Sequence, residues 1–289
     1  MENIKKRKTS IWWSLLLMGI YLWTQAVTAI IAVLFIGVKN ALKDTNSAES
    51  FGFDSFMQEF TGQSLLVVLL ISAFLSLVLC LLVYRLRKMK VWSFMKWKPT
   101  SPRLMFLAVP TGLSVEFTAM LIFSLTAYIF KQSAQNYESM VGGLIKSPLA
   151  IFIIGIVAPF VEDVIFRGLI LNELRRDYSV KTAVIIQAVL FGVMHLNIAQ
   201  GLYAAFAGII LGLIAVEADS VFPAIIGHVV MNSSALLLSY VNEEAFAALF
   251  VPIVIISSVF ILITVRRSVR NIKRTNTGDI GFDDSNLLE

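Results

Sequence analysis

A chain of 289 residues in which 57% are hydrophobic and only 15% charged, with a mean hydropathy of +0.80, has too little charge to be a soluble domain. Its apolar residues fall in blocks of about 18 or more, the length of a bilayer-spanning helix, which predicts an all-α, polytopic membrane helix bundle of about eight transmembrane helices. The net charge of +5 calls for no nucleic-acid partner, because Lys and Arg at the cytoplasmic ends of membrane helices produce the same balance.

The first apolar block, Ile11 to Val38, follows Lys5, Lys6, Arg7 and Lys8 as the core of a signal peptide would. It is far longer than the roughly 7 to 15 apolar residues of a cleavable segment, so it reads as an uncleaved first span. Lys39 to Gln63 is polar with an acidic excess and reads as an external loop. The second span, Ser64 to Tyr84, contains the lone Cys80, which leaves neither a disulfide framework nor a thiolate metal site. Lys88 to Pro102 then sets Val91, Trp92, Phe94, Met95 and Trp97 among Lys90, Lys96 and Lys98. That pattern suits a cytoplasmic interfacial helix with aromatic anchors and an ordinary juxtamembrane loop equally. The third span, Leu104 to Phe130, completes an N-terminal unit, residues 1–147.

Four further spans, Pro148 to Leu171, Thr182 to Leu196, Leu202 to Val216 and Val221 to Tyr240, make a second unit, residues 148–240. The fifth and sixth spans of the chain are short against the roughly 20 residues a bilayer requires. A last span, Ala245 to Val265, lies within residues 241–274, and the polar tail 275–289 is expected to be disordered. With the N-terminus inside, nineteen Lys and Arg residues fall in the cytoplasm and four outside, Arg167 being within a span. The positive-inside rule therefore predicts a multi-pass cell-membrane protein with both termini cytoplasmic.

Charged side chains inside spans are rare and costly, so each is a functional hypothesis. Glu162, Asp163 and Arg167 lie in the fourth span, His195 in the fifth and His228 in the seventh. Asp163 and Arg167 are four apart and face each other on a helix, which predicts an ion pair that reduces the cost of burying both. Glu162 is left without an equally good local partner. Helices four and five form a hairpin turning near Asp177 to Ser179, and Glu162 and His195 stand about 16 residues either side of it, at matching depth. Phe191, four before His195, shares its face. His228 and Asn232 are again four apart and offer a pair of donors suited to a developing oxyanion, or alternatively to helix-helix bonding. Glu116 in the third span is expected to be satisfied by a neighbouring helix. Gly201, Gly208 and Gly212 predict close packing of the sixth span.

Glu162-Asp163-x-x-x-Arg167, Phe191-x-x-x-His195 and His228-x-x-x-Asn232, in this order on successive spans, resemble the three motifs of the CAAX-protease and bacteriocin-processing enzyme family, often called CPBP or Abi. Its eukaryotic branch is the type II CAAX prenyl endopeptidase. The resemblance covers Pro148 to Ser239, and the one departure is Asp163 where the family usually has a second Glu. It implies an intramembrane endopeptidase with residues 148–240 as catalytic core, acting on a membrane peptide or protein substrate in the lipid bilayer. Carried over by position, Glu162 and His195 activate the attacking water and His228 and Asn232 stabilise the tetrahedral intermediate, with Asp163, Arg167 and Phe191 in support. Members are also described as metalloproteases, in which case Glu162, His195 and His228 would bind one zinc. Asn232 is a poor zinc ligand and a good oxyanion donor, so a metal-free mechanism without cofactor is preferred. The implied roles are peptide maturation, bacteriocin immunity or regulation of surface proteins. A proton-coupled transporter, or a non-catalytic membrane scaffold of the same fold, are the competing readings.

Overall fold

The computed structural model describes residues 9–43, 60, 64–144, 148–241 and 243–275. The basic Lys5 to Lys8 cluster, Lys146, most of the Lys39 to Gln63 loop and the tail beyond Thr275 lie outside the described residues. The described chain is all-α: α1 (Ser10–Lys43), α2 (Leu65–Leu86), the single turn α3 (Val91–Phe94), α4 (Pro102–Ile129), α5 (Lys131–Leu144), a composite α6, α7 (Val180–Val193), α8 (Ile198–Ala218), α9 (Phe222–Leu238) and α10 (Glu243–Thr275). In α6, α-helical Pro148–Phe152, Ala158–Asp163 and Leu171–Leu174 alternate with π-helical Ile153–Val157 and Val164–Ile170.

Six helices, α1, α2, α4, α6, α8 and α10, are long and apolar enough to cross a membrane, and α7 and α9 are shorter apolar helices of 14 and 17 residues. Among the described residues, six of the eight expected spans are thus long enough to cross by themselves, and the fifth and seventh are present as shorter apolar helices, with one reassignment. The sixth is not short: Asn197 accepts from the Gln200 backbone N–H as an N-cap and starts the helix at Ile198, giving 21 residues. The seventh is short instead, at 17 residues, its start set by Asp219, which ends α8 in the left-handed region at φ 46°, and by the first-turn Pro223. Helix α5 was not expected, and the segment after α2 is neither a full interfacial helix nor a plain loop but one helical turn with Met89, Phe94 and Met95 buried.

The basic segments gather at one end of the bundle. There the Ser10 backbone N–H donates to Asp177 (2.9 Å), Arg87 forks onto Glu173 (3.0 and 3.1 Å), and Arg267 donates to Glu217 (3.1 Å). Lys96 and Lys98 pair with Asp219. Burial pushes the Asp219 carboxyl up, but the hydrogen bonds and charges of Lys98 and Lys96 outweigh it and hold it below the usual carboxylate range.

Small residues set the helix spacing around α8 as expected. A Cβ on Gly208 would lie 2.9 Å from the Ala188 Cα, one on Gly212 would lie 3.0 Å from Gln187 Oε1, and one on Gly201 would lie 2.8 Å from the Gly192 carbonyl oxygen. At the crossing of α4 and α9 a Cβ on Gly112 would run into the Gly227 carbonyl oxygen. Since backbone cannot yield as a side chain does, Gly112→Ala should push these helices apart and destabilise the bundle by about 1–3 kcal/mol or more. A lower melting temperature in detergent checks this; an unchanged one would contradict the packing.

Candidate active site

The site is built on α6, whose residues Val164 to Ile170 are all buried. Pro159 has no N–H to give the carbonyls four and five residues back, Gly155 and Ile154. Side chains of α9 take over: Asn232 Nδ2 donates to the Ile154 carbonyl (3.2 Å) and Ser233 Oγ to that of Gly155 (3.1 Å). A Cβ on Gly155 would lie 2.9 Å from Ser233 Oγ, so glycine is what lets α9 approach. The irregular backbone of α6 thereby registers α9 against it and brings His228 level with the acidic pair.

Asp163 and Arg167 form the expected ion pair, 2.9 Å apart and both fully buried. The guanidinium also lies over the Phe191 ring, 4.1 Å from its centroid, where the π face partly offsets the lost hydration. Asp163 has a second partner, His228 Nδ1 at 3.1 Å. A carboxylate only accepts, so this nitrogen carries the proton, and Nε2 is the nitrogen presented to Glu162 Oε2 at 3.8 Å. One buried imidazole is thus flanked by both acids.

Glu162 has a further partner that sequence reasoning missed: the Tyr21 hydroxyl of α1 donates to its Oε1 at 3.1 Å. Tyr21 is 4% exposed and stands edge-on to Phe166, ring centroids 6.4 Å apart. The signal available was a polar-tipped aromatic within a mostly apolar first span. Ser233 was missed as well, although Pro159 in the fourth span announced carbonyls in need of donors.

His195 corrects the expectation that it lies within the fifth helix. Helix α7 stops at Val193, and His195 sits in the turn that follows. Fourteen residues rise about 21 Å, less than the roughly 30 Å hydrocarbon core, so α7 is too short to cross it alone. His195 Nδ1 lies 2.8 Å from the Phe191 carbonyl, which only accepts, so Nδ1 is protonated and Nε2 of the neutral ring carries the lone pair. The Phe191 ring meets His195 and His228 edge-on at 5.1 and 5.7 Å. His195 is not in direct contact with Glu162; the imidazole beside that acid is His228. Glu116, expected to be satisfied by a neighbouring helix, is 7% exposed and has no hydrogen-bond partner among the described residues.

Among the described residues no three His, Cys, Asp or Glu side chains gather so as to hold a metal ion. Of the four ring nitrogens of His195 and His228, two are held by Phe191 and Asp163, His228 Nε2 faces Glu162 across 3.8 Å, and His195 Nε2 carries its lone pair.

Residues 144–234, which carry all three motifs, match the family described as type II CAAX prenyl endopeptidase Rce1-like. The resemblance read from the motifs is to this same family and holds over this stretch. The chain is also similar to a Bacillus subtilis (strain 168) protein named "Putative membrane peptidase YdiL", with 24% identity over 117 residues. That alignment takes in 40% of this chain and 48% of the relative, so less than half of the relative's length is spanned. No solved structure matches the chain.

Proposed function

We propose that the protein is an intramembrane endopeptidase that hydrolyses a peptide bond of a membrane-associated peptide or protein without a metal. The observation that carries this reading is the imidazole of His228 held by Asp163 on one side and facing Glu162 on the other. Glu162 takes a proton from water as its oxygen attacks the carbonyl carbon, and His195 Nε2, the free lone pair of a ring fixed at Nδ1, shares in orienting that water. With a proton on Nε2, His228 donates to the oxyanion while Asp163 stands at its Nδ1. Asn232 has one N–H engaged by Ile154 and a second left for the same oxyanion. Collapse of the intermediate breaks the C–N bond, and the proton held by Glu162 passes to the leaving amine. Arg167 is the buried countercharge of Asp163, and Phe191 spaces the two imidazoles. The process served is peptide maturation, bacteriocin immunity or surface-protein regulation.

Tyr21 enters this scheme as the donor that orients Glu162. A hydrogen bond to a charged group is worth about 1.5–3 kcal/mol, and about 1.4 kcal/mol is tenfold in rate. Tyr21→Phe should therefore lower turnover about tenfold or more while the amount of folded protein stays near wild type, as measured by cleavage per milligram of purified enzyme. Wild-type turnover in Tyr21→Phe would remove Tyr21 from the site. The reading as a whole is tested by peptidomics of membranes: peptides that accumulate in a Glu162→Ala strain and not in wild type are the substrates, and identical peptide populations would count against it. A proton-coupled transporter would show altered ion-coupled flux in Glu162→Gln and no cleavage by wild type.

A further inference from the structure

A groove of about 510 Å³ lies away from the site, where α2 meets the turn α3 at the basic end of the bundle. Its lining is graded. Val78, Leu81 and Leu82 lie on successive turns of α2, Arg85 follows one turn further on, and Lys90, Val91, Trp92 and Ser93 close the far side. From Val78 to Arg85 the helix rises about 10 Å, so the wall passes from purely apolar to cationic over roughly one headgroup boundary. Among the described residues, no acidic one lines the groove.

The groove is built in by the fold. The backbone N–H groups of Lys88 and Met89 return to the Arg85 and Tyr84 carbonyls (2.9 and 3.1 Å), closing α2 in a turn with Lys88 at φ 56°. Met89, Phe94 and Met95 are then buried, which leaves Lys90 and Trp92 on the outer side. Trp92 is 60% exposed and leans on Trp97, ring centroids 5.7 Å apart, as an aromatic at the membrane boundary does. Lys90 has no ion-pair partner among the described residues.

From this charge complementarity we infer that the groove binds one anionic phospholipid of the surrounding leaflet, its acyl chain along Val78, Leu81 and Leu82 and its phosphate at Arg85 and Lys90. The apolar part explains why a lipid and not a free anion is the ligand, and the two cations explain why it is an anionic one. The segment that forms the far wall also packs on the catalytic core: Trp97 meets Phe160 and Phe222 at 6.0 and 4.7 Å, and Met95 covers Gly168. A lipid held there braces that segment from outside.

Native mass spectrometry of the purified protein in neutral detergent, with phosphatidylglycerol or phosphatidylcholine added, tests the site independently of any peptidase activity. Wild type should retain one phosphatidylglycerol at least tenfold better than phosphatidylcholine. Arg85→Gln/Lys90→Gln should lose that preference, Leu82→Trp should exclude both lipids by filling the groove, and Lys131→Gln, a basic residue elsewhere, should behave as wild type. Should the double variant fail to accumulate, Lys90→Gln alone is expected to lower retention at least threefold. Equal retention of the two lipids by wild type, which marks a generic apolar groove, would overturn the inference, as would an unchanged preference in the charge variants or competition by glycerol phosphate as strong as by the lipid.

Discussion

Glu162→Gln should reduce peptide cleavage by about 10²- to 10⁴-fold, the contribution expected of a positioned general base, while the protein still accumulates in the membrane. Gln keeps the shape of Glu and can still meet the Tyr21 hydroxyl, so little is lost from packing; what disappears is the carboxylate that accepts the proton. His195→Ala should have an effect of the same order. The two should not add, because each acts on the same water and removing one leaves the other with nothing to orient. A double variant far worse than either single would separate their roles, and an active single variant would take that residue out of the chemical step.

The second large effect concerns stability. Arg167→Ala should leave Asp163 buried without its countercharge, a cost of about 3 to 5 kcal/mol. It also removes the guanidinium stacked 4.1 Å over Phe191, the ring shared by both imidazoles. Folded Arg167→Ala protein recovered from membranes should therefore fall well below that of Glu162→Gln. Replacing both partners, Asp163→Ala with Arg167→Met, should recover part of the lost protein without recovering activity, since His228 then loses the carboxylate at its Nδ1. Normal accumulation and activity of Arg167→Ala would show that the pair does not hold the core.

These two predictions draw on different layers of the sequence. The Asp163–Arg167 pair was legible because four-residue spacing on a helix fixes a side-chain contact locally, and the structure has it at 2.9 Å. The spans were legible because bilayer thickness imposes a length on apolar runs. What the pattern could not give was where short helices end: His195 was expected inside the fifth helix, but the backbone turns after Val193 to enter the Asn197 cap, which is a local hydrogen-bond decision. Partners across helices were also hidden. His228 answering to Asp163, Asn232 and Ser233 serving the carbonyls that Pro159 cannot reach, and Tyr21 of the first helix reaching Glu162 all depend on packing angles that no spacing encodes. Tyr21 lies outside residues 144–234, so the motif-bearing segment alone does not contain the whole site.

The central claim is that Glu162 directs water onto a peptide carbonyl. It is tested most directly by incubating the purified protein, reconstituted without added metal, with the membrane peptides that accumulate in the Glu162→Ala strain, in water enriched in ¹⁸O. Mass spectrometry should find new fragments whose C-terminal carboxylate carries one ¹⁸O, formed by wild type, insensitive to chelators and absent with Glu162→Gln. Cleavage that stops with chelator and returns with zinc would contradict the metal-free mechanism, and intact peptides after incubation with wild type would contradict peptide-bond hydrolysis itself.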